Sequence, residues 1–309
     1  MRAWGLAAAC WLLLTAPALG WNEKGHMAVA RLAWLKLSAC QRAACTEILQ
    51  QHPHYQEYLA ADKPEGVSVD EWAFLRAAYW PDWIRSNHEE LFSRPTWHYV
   101  TQFYVPPYSK LDASALPSHQ APNVVTQITA NGEKLRCGNG PDRAVALCWL
   151  IHLVGDIHQP LHCCSLLSET FPEGDRGGNL GIVRLDGGMP VVLHAAWDNM
   201  LGDELGLAPM LAEVQQIASL ESAEAESISR DVQSHRTPTD WAQEGFAAAQ
   251  KYAYLNGDLR PCHVDQQADV QLIPNLSSSY VQSAKAVARR SAATAARRLA
   301  LGISSSLAR

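Results

Sequence analysis

Apolar residues recur at three- and four-residue intervals over most of the chain, the spacing of α-helices that bury one face. Across residues 23–37, Met27, Val29, Ala30, Ala33, Trp34 and Leu37 gather mostly on one side. The same period predicts helices over 70–79, 123–136, 142–157, 207–220, 239–254 and 279–301, with start signals at Pro141-Asp142 and Thr239-Asp240. The one clear strand pattern is Gly181-Ile-Val-Arg-Leu185, a turn at Asp186-Gly-Gly188, then Pro190-Val-Val-Leu193, which predicts a small β-hairpin. Pro-rich stretches at 104–122 and 234–238 read as surface connections. With no repeat and no separating linker, residues 21–309 are expected to form one mainly α-helical domain.

The first twenty residues differ. Arg2 precedes an Ala/Leu/Trp-rich run to Leu14, and Ala16-Pro-Ala-Leu-Gly20 supplies small residues before a cut. This is the layout of a secretory signal peptide, and the apolar run is short for a membrane span. Cleavage after Gly20 is expected to leave Trp21 as the mature N-terminus of an exported protein without a membrane span, whether extracellular or periplasmic. The leader carries one of the eight cysteines, Cys10. In an oxidising compartment the others can pair, with Cys40 and Cys45 closing a short loop and one thiol left over.

Composition narrows the function. The 309 residues are 48% hydrophobic with 11 Trp, which excludes low-complexity disorder. A formal charge of −6 excludes a broad basic face for duplex nucleic acid or an anionic membrane. The 12 His point to chemistry. His152 and Asp156 stand four apart in Ile151-His-Leu-Val-Gly-Asp-Ile-His-Gln-Pro-Leu-His162, and His194 and Asp198 repeat that spacing. On a helix each pair projects from one face, as imidazole and carboxylate ligands of Zn²⁺ would. One such pair is equally a cap or a bridge; two pairs with His162 nearby exceed what packing alone asks for. His158 faces away from the first pair and is expected to be structural. His52, His54, His88, His119, His235 and His263 fit no ligand spacing and are expected at the surface, as is an Arg cluster (Arg289, Arg290, Arg297, Arg298). Asn275-Leu276-Ser277 is an N-glycosylation sequon.

In order, Trp21, Gly25-His26, Trp80-Pro-Asp-Trp-Ile-Arg85, Trp97-His-Tyr99, the 152–162 segment, Asp175-Arg-Gly-Gly-Asn179 and His194-Ala-Ala-Trp-Asp198 resemble the zinc-dependent S1/P1-type single-strand nucleases and 3′-nucleotidases. The resemblance implies a helical fold of the zinc phospholipase C/P1 nuclease type and a trinuclear zinc cluster. One zinc would be held by Asp82, His98, His152 and Asp156, and a second by Trp21 and His26 with Asp156 shared. The third would take His162, His194 and Asp198. Trp21 would ligate through its α-amino nitrogen and carbonyl oxygen, which requires accurate leader removal. The implied reaction is attack of metal-bound hydroxide on phosphorus, with Asp156 and Arg85 as catalytic residues. Substrates would be single-stranded DNA and RNA, cut to 5′-phosphorylated products, and 3′-nucleotides. Arg85, Tyr99 and Asn179 would contact substrate, Tyr99 by stacking on an unpaired base. Thr101 stands where the family often has Asp or Asn, so no carboxylate base is available there. A monomer without a stable protein partner is expected. The rival readings are a zinc-dependent phospholipase C, whose resembling members end the ligand set in glutamate where Asp198 stands, and a non-catalytic zinc-binding protein. A metalloprotease is disfavoured because His-Glu-x-x-His is absent.

Overall fold

The computed structural model describes residues 20–86, 91–115, 121–266 and 271–308. The expected leader lies outside them except for Gly20, as do His88 and His119. Capping side chains start several helices. Asn22 accepts the Gly25 N–H at α1 (Glu23–Lys36), and Ser38 forms a reciprocal box with Gln41 at α2 (Ala39–Leu49). After α3 (Val69–Ser86), Asn123 and Thr126 do the same at α4 (Val124–Cys137). Pro141 sits in the first turn of α5 (Gly140–Asp156). The chain continues through α6 (Leu193–Asp198), α7 (Leu207–Ala223), α8 (Ala225–Ser234), α9 (Pro238–Ala248) and α10 (Ser278–Leu307).

Helix α5 is the centre of the packing. From Ala146 to Asp156 every residue is buried, as expected of a helix enclosed on all sides, here by α1, α2, α3, α4 and α10. Along α10 the buried Ala284, Ala288, Ala292, Ala295 and Ala296 form a small-residue seam that lets α1 and α7 approach. Four arginines fix this helix to its neighbours. Arg289 pairs with Glu213, Arg290 with Glu224 and Asp231, Arg297 with Glu221, and Arg298 with Glu244. The expected solvated Arg face is therefore an interhelical ion-pair ladder, with Arg298 only 3% exposed.

Strands β1 (Phe103–Tyr104) and β2 (Ser165–Leu166) pair in parallel and dock the segment after His98 onto the segment after His162. The expected hairpin forms from β3 (Gly181–Leu185) and β4 (Pro190–Val192), with Val183 opposite Val191. The other edge of β3 also takes β5 (Cys262–His263) and β6 (Asn275–Leu276), so β3 is the central strand of a four-stranded sheet and β4 one of its edges.

Three further expectations about the fold need correction. Helix α3 does not end at 79 but runs through Pro81 to Ser86. Proline removes one ladder bond, yet Trp80 and Ile84 are fully buried on either side and hold the helix in place. The predicted helix 239–254 ends as α9 at Ala248 and passes into a π-helical turn, Ala249–Ala253. The cysteine loop does not form: no disulfide joins any of the seven described cysteines. Cys40 and Cys45 share α2, where five residues put their side chains about 140° apart around the axis. Helices α2 and α8 escape the periodicity because they bury only Cys45, Ile48 and Leu49, and only Ile228, too few positions to define a face. Among the described residues no helix is long and apolar enough to cross a membrane.

Candidate metal centre

Four elements converge on Asp156, the last residue of α5. Helix α1 supplies His26, α3 supplies Asp82, the 3-10 turn Pro95–His98 supplies His98, and α5 itself supplies His152 one turn before Asp156. All five side chains are at most 1% exposed. His98 Nδ1 lies 3.0 Å and His152 Nε2 2.9 Å from Asp156 Oδ2, and the two nitrogens are 2.9 Å apart. Neutral imidazoles, with one ring proton each and that of His152 given to the Ala78 carbonyl, cannot satisfy all three of these contacts as hydrogen bonds at once. The distances match the edge of a tetrahedral Zn²⁺ shell, about 3.3 Å for metal–ligand bonds of about 2.0 Å. On the other side of the carboxylate His26 Nε2 is 3.4 Å from Asp156 Oδ1, and Asp82 Oδ2 is 4.0 Å from the same His26 nitrogen. His26 and His152 stack at 4.1 Å between ring centroids.

A second group stands beside the first. His162, on the 3-10 turn Pro160–Cys163, meets His194 and Asp198 of α6, with His194 Nε2 3.6 Å from Asp198 Oδ2. The donor atoms of His26, Asp82 and His152, of His98, His152 and Asp156, and of His162, His194 and Asp198 each lie within 4.8 Å of one another.

Backbone carbonyls set the imidazoles' direction. His152 Nδ1 donates to the Ala78 carbonyl at 2.8 Å, His162 Nδ1 to that of His98 at 2.7 Å, and His194 Nδ1 to that of Gly177 at 2.6 Å. Each ring thus turns its Nε2 toward its group, the usual way a protein fixes the direction of a ligand imidazole. His98 serves both groups, the first with its ring and the second with its carbonyl. The Gly177 carbonyl belongs to the 175–179 loop, anchored by buried Asp175. Its carboxylate accepts from the Leu166 N–H at 2.8 Å and the Tyr254 hydroxyl at 2.7 Å. Burial pushes the Asp175 carboxyl up to about 6, against these hydrogen bonds.

The electrostatics are those of a site built for cations. Burial opposes ionisation of Asp156, but the charges of His152 and His162 outweigh it and hold the carboxyl well below its usual range. His152 is raised to about 9: burial lowers it, but Asp156 and Asp82 more than compensate. Burial raises Asp198, with the Asp156 and Asp82 charges adding to the effect. His26 Nε2, Asp156 Oδ1 and His162 Nε2 are buried without a hydrogen-bond partner. Such orphaned atoms cost about 1–3 kcal/mol each unless something satisfies them. A divalent cation would do so, and a buried set of imidazoles and carboxylates without thiolate suits zinc.

The ring of Trp21 is fully buried, and its amide neighbour Gly20 borders the first group: a β-carbon on Gly20 would collide with Asp156 and approach His26 Nε2 to 2.9 Å. Asn22 pins this entry by donating to the Asn199 side chain and the Gly202 carbonyl, both at 2.7 Å. Arg85 is half-buried, one helical turn beyond Asp82, and Tyr99 follows His98 with 42% of its surface exposed. Thr101 is half-buried on the same strand-like segment. Asn179 donates one amide N–H to the Arg176 carbonyl at 2.8 Å, in the loop that also serves the site through Gly177.

His158 is structural, as its spacing implied. It donates to the Val154 carbonyl and meets Arg298 at 2.8 Å, and burial with the Arg298 charge lowers it to about 3. His52 is not at the surface: it is 4% exposed, packed edge-on against Trp80 and lowered to about 3 by burial. His54 accepts from the Trp80 indole at 3.0 Å. Sequence reasoning also passed over two glycines. Gly155 lies under the His26 ring, where a β-carbon would stand 2.8 Å from Nδ1. Gly177, at φ +65°, would press one to 2.5 Å from the Leu161 carbonyl. A glycine immediately before a ligand carboxylate, inside a helix that otherwise has no reason for one, was the available signal.

The profile described as S1/P1 Nuclease matches residues 21–308. Nuclease S1 of Aspergillus oryzae is 28% identical over 207 residues, 65% of this chain and 61% of the nuclease, so that alignment spans under two thirds of the relative. Endonuclease 5 of Arabidopsis thaliana is 28% identical over 274 residues, 83% of this chain and 84% of the relative. Endonuclease 3 of the same plant is 24% identical over 270 residues, 83% of each. A profile match from Trp21 almost to the C-terminus, over a chain that folds its His and Asp residues into two adjoining buried groups, places this protein in the S1/P1 nuclease family.

Proposed function

We propose that the chain is an exported, zinc-dependent phosphodiesterase that cuts single-stranded DNA and RNA to 5′-phosphorylated products and removes phosphate from 3′-nucleotides. The observation that carries this reading is the convergence of His26, Asp82, His98 and His152 on the carboxylate of Asp156, with the His162–His194–Asp198 group alongside. In this reading these residues would hold three zinc ions, which would supply charge for phosphate oxygens and for the departing 3′-oxygen and acidify water. Asp156 would serve two of them, one oxygen toward His98 and His152 and the other toward His26. Arg85 would hold the phosphate with its guanidinium fork, which suits phosphate oxygens. Tyr99, next to His98 and 42% exposed, would stack on an unpaired base, a contact a paired base cannot make without leaving its helix. Thr101 would donate a hydrogen bond and take no part as a base.

Leader removal would complete the site. Gly20 now fills the space beside Asp156 and His26. Cutting after it would vacate that space and place the new α-amino group of Trp21 there as a ligand. A protein with residues kept ahead of Trp21 should lack one zinc and most activity; full zinc and full activity in it contradict the role of Trp21.

The substrate assignment is tested by presenting the mature zinc-loaded protein with single-stranded DNA, the matching duplex, RNA, a 3′-nucleotide and phosphatidylcholine. Cleavage of both single strands and the 3′-nucleotide, with duplex spared, is expected. Turnover of phosphatidylcholine alone would move the chain to the phospholipase reading.

A further inference from the structure

We propose that Gln159 is a positioning residue that builds the separate metal group by holding two of its three ligands in one frame; this rests on the zinc reading above. Gln159 is fully buried between Asp156 and the turn that carries His162. Its Nε2 donates to Asp198 Oδ1 at 2.7 Å, while its Oε1 accepts the Leu161 N–H at 2.5 Å. Its backbone carbonyl accepts the His162 N–H at 3.0 Å, and its own N–H donates to the Asp156 carbonyl at 2.9 Å. One residue thus spans α5, the His162 turn and α6.

The chemistry of an amide makes this arrangement one-way. Turning the side chain over would set NH₂ against the Leu161 N–H and an amide oxygen against a carboxylate, two repulsive contacts in a buried space. Gln159 therefore always offers its donor to Asp198. That donor occupies Oδ1 and leaves Oδ2, 3.6 Å from His194 Nε2, as the oxygen aimed into the group. Asp198 is presented as a one-oxygen ligand of fixed direction. The same amide caps the 3-10 turn and so fixes where His162 points. Neither glutamate nor leucine, each close in size, can do both. Glutamate sets a second carboxylate against Asp198, and leucine leaves Asp198 Oδ1 and the Leu161 N–H unsatisfied. Partners of this kind, one step behind a ligand, typically change metal affinity about 10–100-fold.

The test measures zinc per mature chain after dialysis against buffered free zinc, for the native protein, Gln159→Glu and Gln159→Leu. Circular dichroism of the same samples reports the fold. The native protein is expected to keep three zincs and each variant two, the third binding about tenfold or more weakly. Cobalt substitution should leave the absorption of the Asp156 pair in place while the separate site's bands disappear. Three zincs at native affinity in both variants would overturn the proposal, and so would loss of all three together with the helical signal, which marks a purely structural role. A native protein that binds no zinc would instead refute the underlying metal reading, so the two failures are distinguishable.

Discussion

Gly155→Ala isolates how closely this centre is built. In a helix interior the change should be favourable by about 1 kcal/mol, because alanine loses less backbone freedom than glycine. Here the added β-carbon would stand 2.8 Å from His26 Nδ1 and 3.1 Å from Cε1. Ordinary contact is roughly 3.5–4.0 Å, so the ring must retreat by roughly 0.7–1.2 Å. It has little room to do so, being 1% exposed and stacked at 4.1 Å on His152. A displacement of about 1 Å near the reacting groups costs roughly 10²-fold in rate. The variant should therefore fold with native helicity, bind the His26-dependent zinc poorly and lose about 10²-fold in kcat on single-stranded DNA. The assays are circular dichroism, elemental metal analysis and nuclease rates on one preparation. Native zinc content with native kcat would refute the tight seat assigned to His26.

Other outcomes follow from the same geometry. Tyr99→Ala should raise KM for single-stranded DNA by about tenfold, a stacking contribution of about 1–3 kcal/mol, while leaving zinc content unchanged; an unchanged KM removes Tyr99 from the substrate path. His158 titrates near 3 in the folded chain against 6.5 in the open chain. The unfolded state therefore binds the extra proton, and the stability this residue confers is present above pH 6.5 and lost as pH falls toward 3. The slope is at most about 1.4 kcal/mol per pH unit. Denaturant unfolding of His158→Gln should show that much less pH dependence over this window, and an identical slope would contradict a buried neutral imidazole. Asp175 carries the opposite sign, its folded value of about 6 lying above the ordinary 3.8. Its contribution is present below 3.8 and fades as pH rises through 6, so Asp175→Asn should flatten stability between those limits.

Much of the fold and of the site was legible because both rest on local spacing. The pairs His152/Asp156 and His194/Asp198 each lie one helical turn apart on α5 and α6, and the period-two run 181–193 became the hairpin. His26, Asp82 and His98 were not legible from spacing. They come from three other elements, and only the ordered resemblance to a known family linked them. What stayed hidden depends on tertiary partners. Pro81 reads as a stop until Trp80 and Ile84 are seen to be buried around it. The Arg cluster reads as solvated until Glu213, Glu221, Glu224 and Glu244 arrive from other helices. Gln159 reads as filler between His158 and Pro160 until Asp198 meets it across the fold.

The most direct test of the account removes the shared carboxylate. Metal analysis of the mature native protein should give three zincs per chain. Asp156→Asn, isosteric and still folded, should retain only the zinc of His162, His194 and Asp198 and lose phosphodiesterase activity. A variant that keeps all three zincs would contradict the central role given to Asp156.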